Sequence, residues 1–241
     1  MANTVNQPSR RKVDGRAAAP VPWLFALRCL ACGEPGADGR DLCIACHAAL
    51  PWQGSACRRC ALPLPAPGLC GACLQVPPPL DETHAVFDYA FPLDRLLPRL
   101  KFHRDFAAGR VLAQCMAWRC AGWPRPEALL PIPLHHARLR QRGYDQALEL
   151  AKPLARALQL PLLGNALRRG KTTTAQSRLD AEARRRNLRD AFVVAGGTAL
   201  PAHVALLDDV MTTGATLHSA AGALRRAGVS RVDAWVCARV A

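Results

Sequence analysis

Val204 to Thr216 read VALLDDVMTTGAT, an apolar run that ends in two acids and turns through Thr-Thr-Gly-Ala-Thr. The periodicity predicts a strand over 203–207, a helix over 215–227 closed by Gly228, and a last strand over 231–238. Strand, helix and strand in that order imply a parallel sheet with right-handed crossovers. Such sheets bind ligands outside the carboxyl ends of their strands, where this turn falls.

The turn has the parts of an anion site. Backbone amides from Thr212 to Thr216, Ala215 included, with the hydroxyls of Thr212, Thr213 and Thr216, can surround a phosphate at a helix N-terminus. Gly214 is expected to remove a side chain where the anion approaches closely. Asp208 and Asp209 can accept hydrogen bonds from vicinal hydroxyls, so phosphate plus diol suggests a 5-phosphoribosyl group. Neither G-x-x-x-x-G-K-[ST] nor a G-x-G-x-x-G after a strand occurs. The structural alternative is a turn in which Asp209 and a threonine merely cap the helix.

Working upstream, the same alternation continues. Strands are predicted over 85–90 and 129–134, and helices over 93–102, 106–118 and 145–158, with Pro98 disturbing the first. The expected class is α/β, over residues 80–241. Pro77, Pro78 and Pro79 make a stiff break before it.

On the other side of that break, at 21–76, the cysteines come in four C-x-x-C pairs: Cys29/Cys32, Cys43/Cys46, Cys57/Cys60 and Cys70/Cys73. Two residues between thiolates let both sulfurs reach one tetrahedral zinc at about 2.3 Å, and two such pairs close a four-thiolate site. The pairs read as two consecutive zinc ribbons holding one or two structural Zn2+. Sequential pairing is the simplest assignment, and interleaved pairing is the alternative. So short a Gly- and Pro-rich segment buries little apolar surface, so metal would supply much of its folding free energy. A closed site leaves no open position for catalysis. Cys115, Cys120 and Cys237 lie in apolar segments and are expected in the core.

The chain has 241 residues, half of them apolar, with 32 Lys and Arg against 18 Asp and Glu, a formal charge of +14. That composition excludes a wholly disordered chain, and no run approaches the roughly 20 apolar residues of a membrane span. Residues 1–20 are polar and basic, without the apolar stretch of a secretory signal, which predicts a disordered tail and a cytoplasmic protein. Between Arg138 and Arg189, 13 Lys and Arg face four Asp and Glu, with Arg184, Arg185 and Arg186 consecutive. Such a face suits a pyrophosphate, a nucleic-acid backbone or solvent alone.

Residues 204–216 closely resemble the phosphoribosyl-pyrophosphate (PRPP) motif of the type I phosphoribosyltransferases. Together with the four knuckles, LKFHRD (100–105), PIPL (131–134), RGYDQA (142–147) and TTTAQSRLDAEARRRNLRDAF (172–192), the chain resembles the ComF family, including ComFC and GntX-type proteins. The resemblance implies a zinc-ribbon N-terminus on a type I phosphoribosyltransferase-like parallel sheet flanked by helices. It also implies a link to DNA uptake in competence or to use of DNA as a nutrient. Asp208 and Asp209 would then be the catalytic acids on the ribose hydroxyls, residues 212–216 would hold the 5-phosphate, and Mg2+ would accompany PRPP. Lys101, Arg104 and Arg142 would take the pyrophosphate. By their position after PIPL, His135 and His136 either face that group or are loop bystanders. The alternative reading is a non-catalytic adaptor whose zinc ribbons and basic face bind single-stranded DNA or competence or DNA-processing proteins, with the phosphoribosyl site kept as a sensor or relic. The family's RGFNQ is RGYDQ here, and Asp145 is left out of the expected site because an acid would weaken a phosphate contact.

Overall fold

The computed structural model describes residues 27–170 and 191–241. The expected basic tail at 1–20 and the Arg184–Arg186 run lie outside the described residues. Four strands, β1 (Thr83–Asp88), β2 (Ala128–Pro131), β5 (His203–Met211) and β6 (Arg231–Arg239), form a sheet in the order β1-β6-β5-β2. All three pairings are parallel. A separate antiparallel pair joins β3 (Leu167–Arg169) to β4 (Phe192–Val194).

Both faces of the sheet are covered, which is why its strands read as nearly continuous apolar runs. On one face, α3 (Leu93–Phe102), α4 (Phe106–Cys120) and α6 (Gln146–Leu158) bury Leu97, Leu100, Leu112, Met116, Leu150 and Leu154 against Ala205 and Leu207. On the other, α7 (Ala215–Arg226) and the β3–β4 pair pack Leu217, Ala221, Leu224 and Phe192 against Leu206 and Val232. Cys115, Cys120 and Cys237 are buried as expected. Burial pushes the Cys115 thiol up to about 11, with Arg40 opposing, so it stays protonated.

The chain after β2 leads to α6 on one face, whereas the chain after the neighbouring β5 leads to α7 on the other. The crevice of an open parallel sheet opens at such a switch of faces. It lies at the carboxyl ends of β2 and β5, beside the 212–216 turn.

Several boundaries differ from expectation. β5 runs on through both acids to Met211 because its ladder with β6 continues from Asp208↔Val236 to Met211↔Arg239. β2 stops at Pro131, since Pro133 offers no N–H to the ladder, although Ile132 N still donates to Leu207 O at 2.9 Å. β1 sits two residues earlier than predicted. α3 passes through Pro98 without interruption. A short helix, α5 (His136–Arg142), was not expected.

The cysteine segment contributes the short helices α1 (Ile44–Ala48) and α2 (Gly71–Gln75) and packs onto the sheet. Cys29, Leu42 and Leu50 share the α4 side of the core, and Ala61 shares the α7 side. Residues 51–53 cover the free edge of β1: Gln53 N donates to Val86 O and Asp88 N to Pro51 O, each at 2.9 Å. An otherwise unpaired edge is thereby satisfied. Among the described residues no helix is long and apolar enough to cross a membrane.

Candidate functional site

Asp208 and Asp209 sit near the carboxyl end of strand β5, just before the 212–216 turn. Asp209 is 3% exposed, and its Oδ2 lies 2.9 Å from Lys101 Nζ. Burial and the charge of Asp209 push the Asp208 carboxyl well above its ordinary value. Asp208 therefore takes up its negative charge less readily than a free aspartate, unless a cation or hydroxyl donors arrive.

The turn opens α7 with Gly214 at φ +78° and lines a small cavity of roughly 40 Å³ together with Asp208, Thr212, Thr213, Ala215 and Thr216. Thr213 Oγ1 accepts from Ala215 N at 3.4 Å, which leaves most donors of the first turn available. A Cβ on Gly214 would lie 2.5 Å from Met211 Cε and 2.9 Å from His218 Nε2. A left-handed backbone and the side chains packed beneath the turn therefore favour glycine here, independently of any ligand.

A second cavity of about 350 Å³ is lined by Lys101, Phe102, Arg104, Arg138, Gln141, Arg142 and Tyr144. It brings LKFHRD and RGYDQA together: Arg104 Nε donates to Arg142 O at 3.2 Å, and a Cβ on Gly143 would sit 3.2 Å from Arg104. Arg142 donates to Gln146 Oε1 at 3.0 Å and stacks over Phe102 at 5.0 Å. The Tyr144 hydroxyl donates to Leu100 O and pins the two segments. Lys101, Arg104 and Arg142 therefore meet, and Lys101 joins their cavity to the acid pair.

Asp145, left out of the expected site, caps α6. Its carboxylate accepts from Leu134 N at 2.7 Å, Ala147 N at 3.0 Å and Leu148 N at 3.2 Å. His135 caps α5 through Nδ1, and its ring lies 4.1 Å from that of His136.

Sequence reasoning missed Arg138, Tyr144 and Arg169. Burial and the charge of Arg138 pull the Arg169 guanidinium down, while Asp208 opposes them, so Arg169 on β3 lies in the field of both. The position of Arg138 within a basic run gave no periodic signal.

The eight cysteines fall into two groups, Cys29/Cys32/Cys43/Cys46 and Cys57/Cys60/Cys70/Cys73, with the sulfurs of each within 4.8 Å of one another. Pairing is sequential. A tetrahedral zinc with bonds of about 2.3 Å needs sulfurs about 3.8 Å apart. Cys32 and Cys43 lie at 3.7 Å and Cys60 and Cys70 at 3.6 Å, so the donor set fits that ion. Amides point at the sulfurs: Cys46 N to Cys43 Sγ and Cys70 N to Cys57 Sγ, each 3.3 Å. Burial raises the Cys57 thiol, but amide donors from Cys70, Arg59 and Cys60 outweigh it and bring it down to about 6, which favours thiolate.

Residues 21–74 match the double zinc ribbon domain family. Competence protein F of Haemophilus influenzae is 40% identical over 178 residues, which cover 70% of this chain and 78% of that protein. The chain belongs to the ComF family. Another ComF relative, the DNA utilization protein YhgH of Escherichia coli O157:H7, is 35% identical over 88% of this chain and 96% of its own. Among solved structures, the adenine phosphoribosyltransferase of Leishmania tarentolae overlays 68% of this chain and 93% of its own at 13% identity. Its TM-score of 0.37 is too loose to add to the topology described above.

Proposed function

We propose that this ComF-family chain binds PRPP at the carboxyl edge of its sheet and transfers the phosphoribosyl group to a nucleobase-like acceptor. The observation that carries the reading is the Lys101–Asp209 contact, which joins an acid pair and a phosphate-sized turn to a cavity lined by four cationic side chains. A phosphate would take the amides and hydroxyls of residues 212–216, and the ribose hydroxyls would take Asp208 and Asp209. Lys101, Arg104 and Arg142 would hold the pyrophosphate and stabilise its departure from the anomeric carbon. The acids would balance positive charge developing on the ribose. Mg2+ arriving with PRPP would neutralise pyrophosphate charge. The two ribbons would each hold a structural zinc and act as a scaffold.

Calorimetric titration of PRPP into zinc-replete protein tests this. Binding that needs Mg2+ and is lost on combining Asp208→Asn with Asp209→Asn is expected. No binding with or without Mg2+ would overturn the reading.

One observation favours a second ligand, single-stranded DNA. Phe91, just before α3, and Phe102, its last residue, are 66% and 63% exposed, and each lies under an arginine, Arg95 and Arg142. Such pairs stack bases while holding a backbone, at about 1–3 kcal/mol per base. The relative named for DNA utilization agrees with this reading. Phe91→Ala with Phe102→Ala is expected to weaken oligonucleotide binding at least tenfold in a fluorescence anisotropy titration. Unchanged affinity would remove the aromatic rim from the interface.

A further inference from the structure

Arg239, the last residue of β6, is 8% exposed, and among the described residues no carboxylate pairs with it. Its guanidinium is satisfied by carbonyls: Nε donates to Cys60 O at 2.9 Å, and Nη1 to Met211 O at 3.3 Å and to Val240 O. Cys60 belongs to the second four-cysteine group, and Met211 precedes the 212–216 turn. One side chain thus spans from a metal knuckle to the turn.

The knuckle is fixed on the sheet by consecutive carbonyls. Arg58 O accepts from Thr83 N at 2.7 Å, Arg59 O from Thr83 Oγ1 at 2.8 Å, and Ala61 O from Gln53 Nε2 at 3.0 Å. Cys60 O, between them, is the carbonyl given to Arg239. Met211 is held in turn: Val240 N donates to its carbonyl at 3.0 Å, and its methyl fills the space under Gly214. A buried guanidinium without an acidic partner is costly, and carbonyls alone repay it only while all of them stay in place. Among the described residues the first ribbon has no such link, being tied to α4 by Arg110 to Asp41 and to α3 by Arg99 Nη1 to Leu30 O at 2.8 Å.

We propose that Arg239 is a positioning residue that couples the second four-cysteine site to the 212–216 turn, so that the turn keeps its shape only while that knuckle keeps its metal. A knuckle that loses its ion releases Cys60 O, and the guanidinium then loses the anchor that sets the Met211 carbonyl. The ligand consequence, weaker phosphate binding, rests on the reading of the turn as a phosphate site. The mechanical coupling does not.

The test is amide hydrogen exchange by NMR at Val240 and His218, which donate to Met211 O and Gly214 O on either side of the turn. The full chain is compared as wild type, Arg239→Met, Cys70→Ser, the double variant and Arg110→Ala. Arg239→Met leaves all eight cysteines in place, and it and Cys70→Ser should each speed exchange about tenfold or more, the scale of one charged hydrogen bond. The double variant should add little to either, because both break one chain of contacts. Arg110→Ala should leave both amides unchanged, and Arg239→Lys should not rescue, since one ammonium cannot reproduce the guanidinium fork. Additive effects of Arg239→Met and Cys70→Ser, or an unchanged Val240 amide in Arg239→Met, would overturn the coupling. Titration of ribose 5-phosphate runs in parallel: no binding to wild type counts against the phosphate reading alone, while exchange decides the coupling.

Discussion

Lys101 Nζ stands 2.9 Å from Asp209 Oδ2, with the lysine side chain 26% exposed and the aspartate 5%. The pair joins α3 to the end of β5 and places a cation between the acids and the arginine-lined cavity. Lys101→Met leaves a buried carboxylate without its counter-charge, a loss of about 2–3 kcal/mol once the lysine's partial exposure is discounted. The expected result is a lower Tm together with weaker PRPP binding. Adding Asp209→Asn should recover most of the stability and none of the binding. Thermal melts and calorimetry on the four-variant cycle separate the two roles.

Asp208 carries the opposite sign of effect. Burial and the neighbouring Asp209 raise its carboxyl above the ordinary value, so the folded chain binds a proton there that the unfolded chain has released. Stability from this group is therefore full below the ordinary carboxylate range and falls as pH rises toward the raised folded value. Asp208→Asn removes the penalty and keeps an oxygen able to accept from Asp209 N, now 2.8 Å from Oδ1. The variant should melt ~2–4 °C higher than wild type at pH 8, the shift that ~1 kcal/mol produces in a chain of this size. The advantage should shrink as pH falls toward 4. A constant difference across that range would place the cause elsewhere.

Much of this site was legible because its chemistry is local. The Asp208–Asp209 pair and the Thr-Thr-Gly-Ala-Thr turn are contiguous, and the helix that follows starts at Ala215, where the periodicity predicts. The four knuckles were equally plain, since thiolate spacing alone forces two residues between ligands. What could not be read depends on long-range contacts. Arg104 reaches Arg142, and Arg239 reaches Cys60, across stretches that no periodicity spans. Helix α5 escaped because its apolar Leu139 is isolated among arginines and exposed, leaving no amphipathic stripe to detect. β5 was read as ending before its acids because consecutive carboxylates look like a turn in one dimension. The ladder to Arg239 shows them to be strand.

Metal content follows from the two sulfur groups. Zinc-replete protein should carry about two zinc ions per chain, and Cys32→Ser or Cys70→Ser should each reduce this to about one, measured by inductively coupled plasma mass spectrometry. Cys70→Ser should be the more damaging to folding. Its group is the more buried, with Cys57, Cys70 and Cys73 closing a small core of their own with Leu62 and Leu69. Stripping both ions with a chelator should lower Tm sharply, because residues 27–76 have few buried apolar side chains besides the cysteines to hold them in shape. An unchanged melt after complete removal would show that packing on the sheet suffices.

Gly214→Ala tests whether the turn's shape is set from above or below. A left-handed φ of +78° costs an alanine about 1 kcal/mol, and its Cβ would press on Met211 Cε and the half-buried ring of His218. Were the anion's approach the only further reason for glycine, stability would fall by that strain alone. Because the methyl points into the protein, both stability and binding should fall, the former by about 2 kcal/mol or more in denaturant titrations. Shortening the neighbour with Met211→Ala in the Gly214→Ala background should return part of the lost stability, since it frees the space under the turn while leaving the backbone strain. A loss of only about 1 kcal/mol would mean that Met211 and His218 move aside without cost and leave the backbone strain alone, and no loss at all would remove both causes.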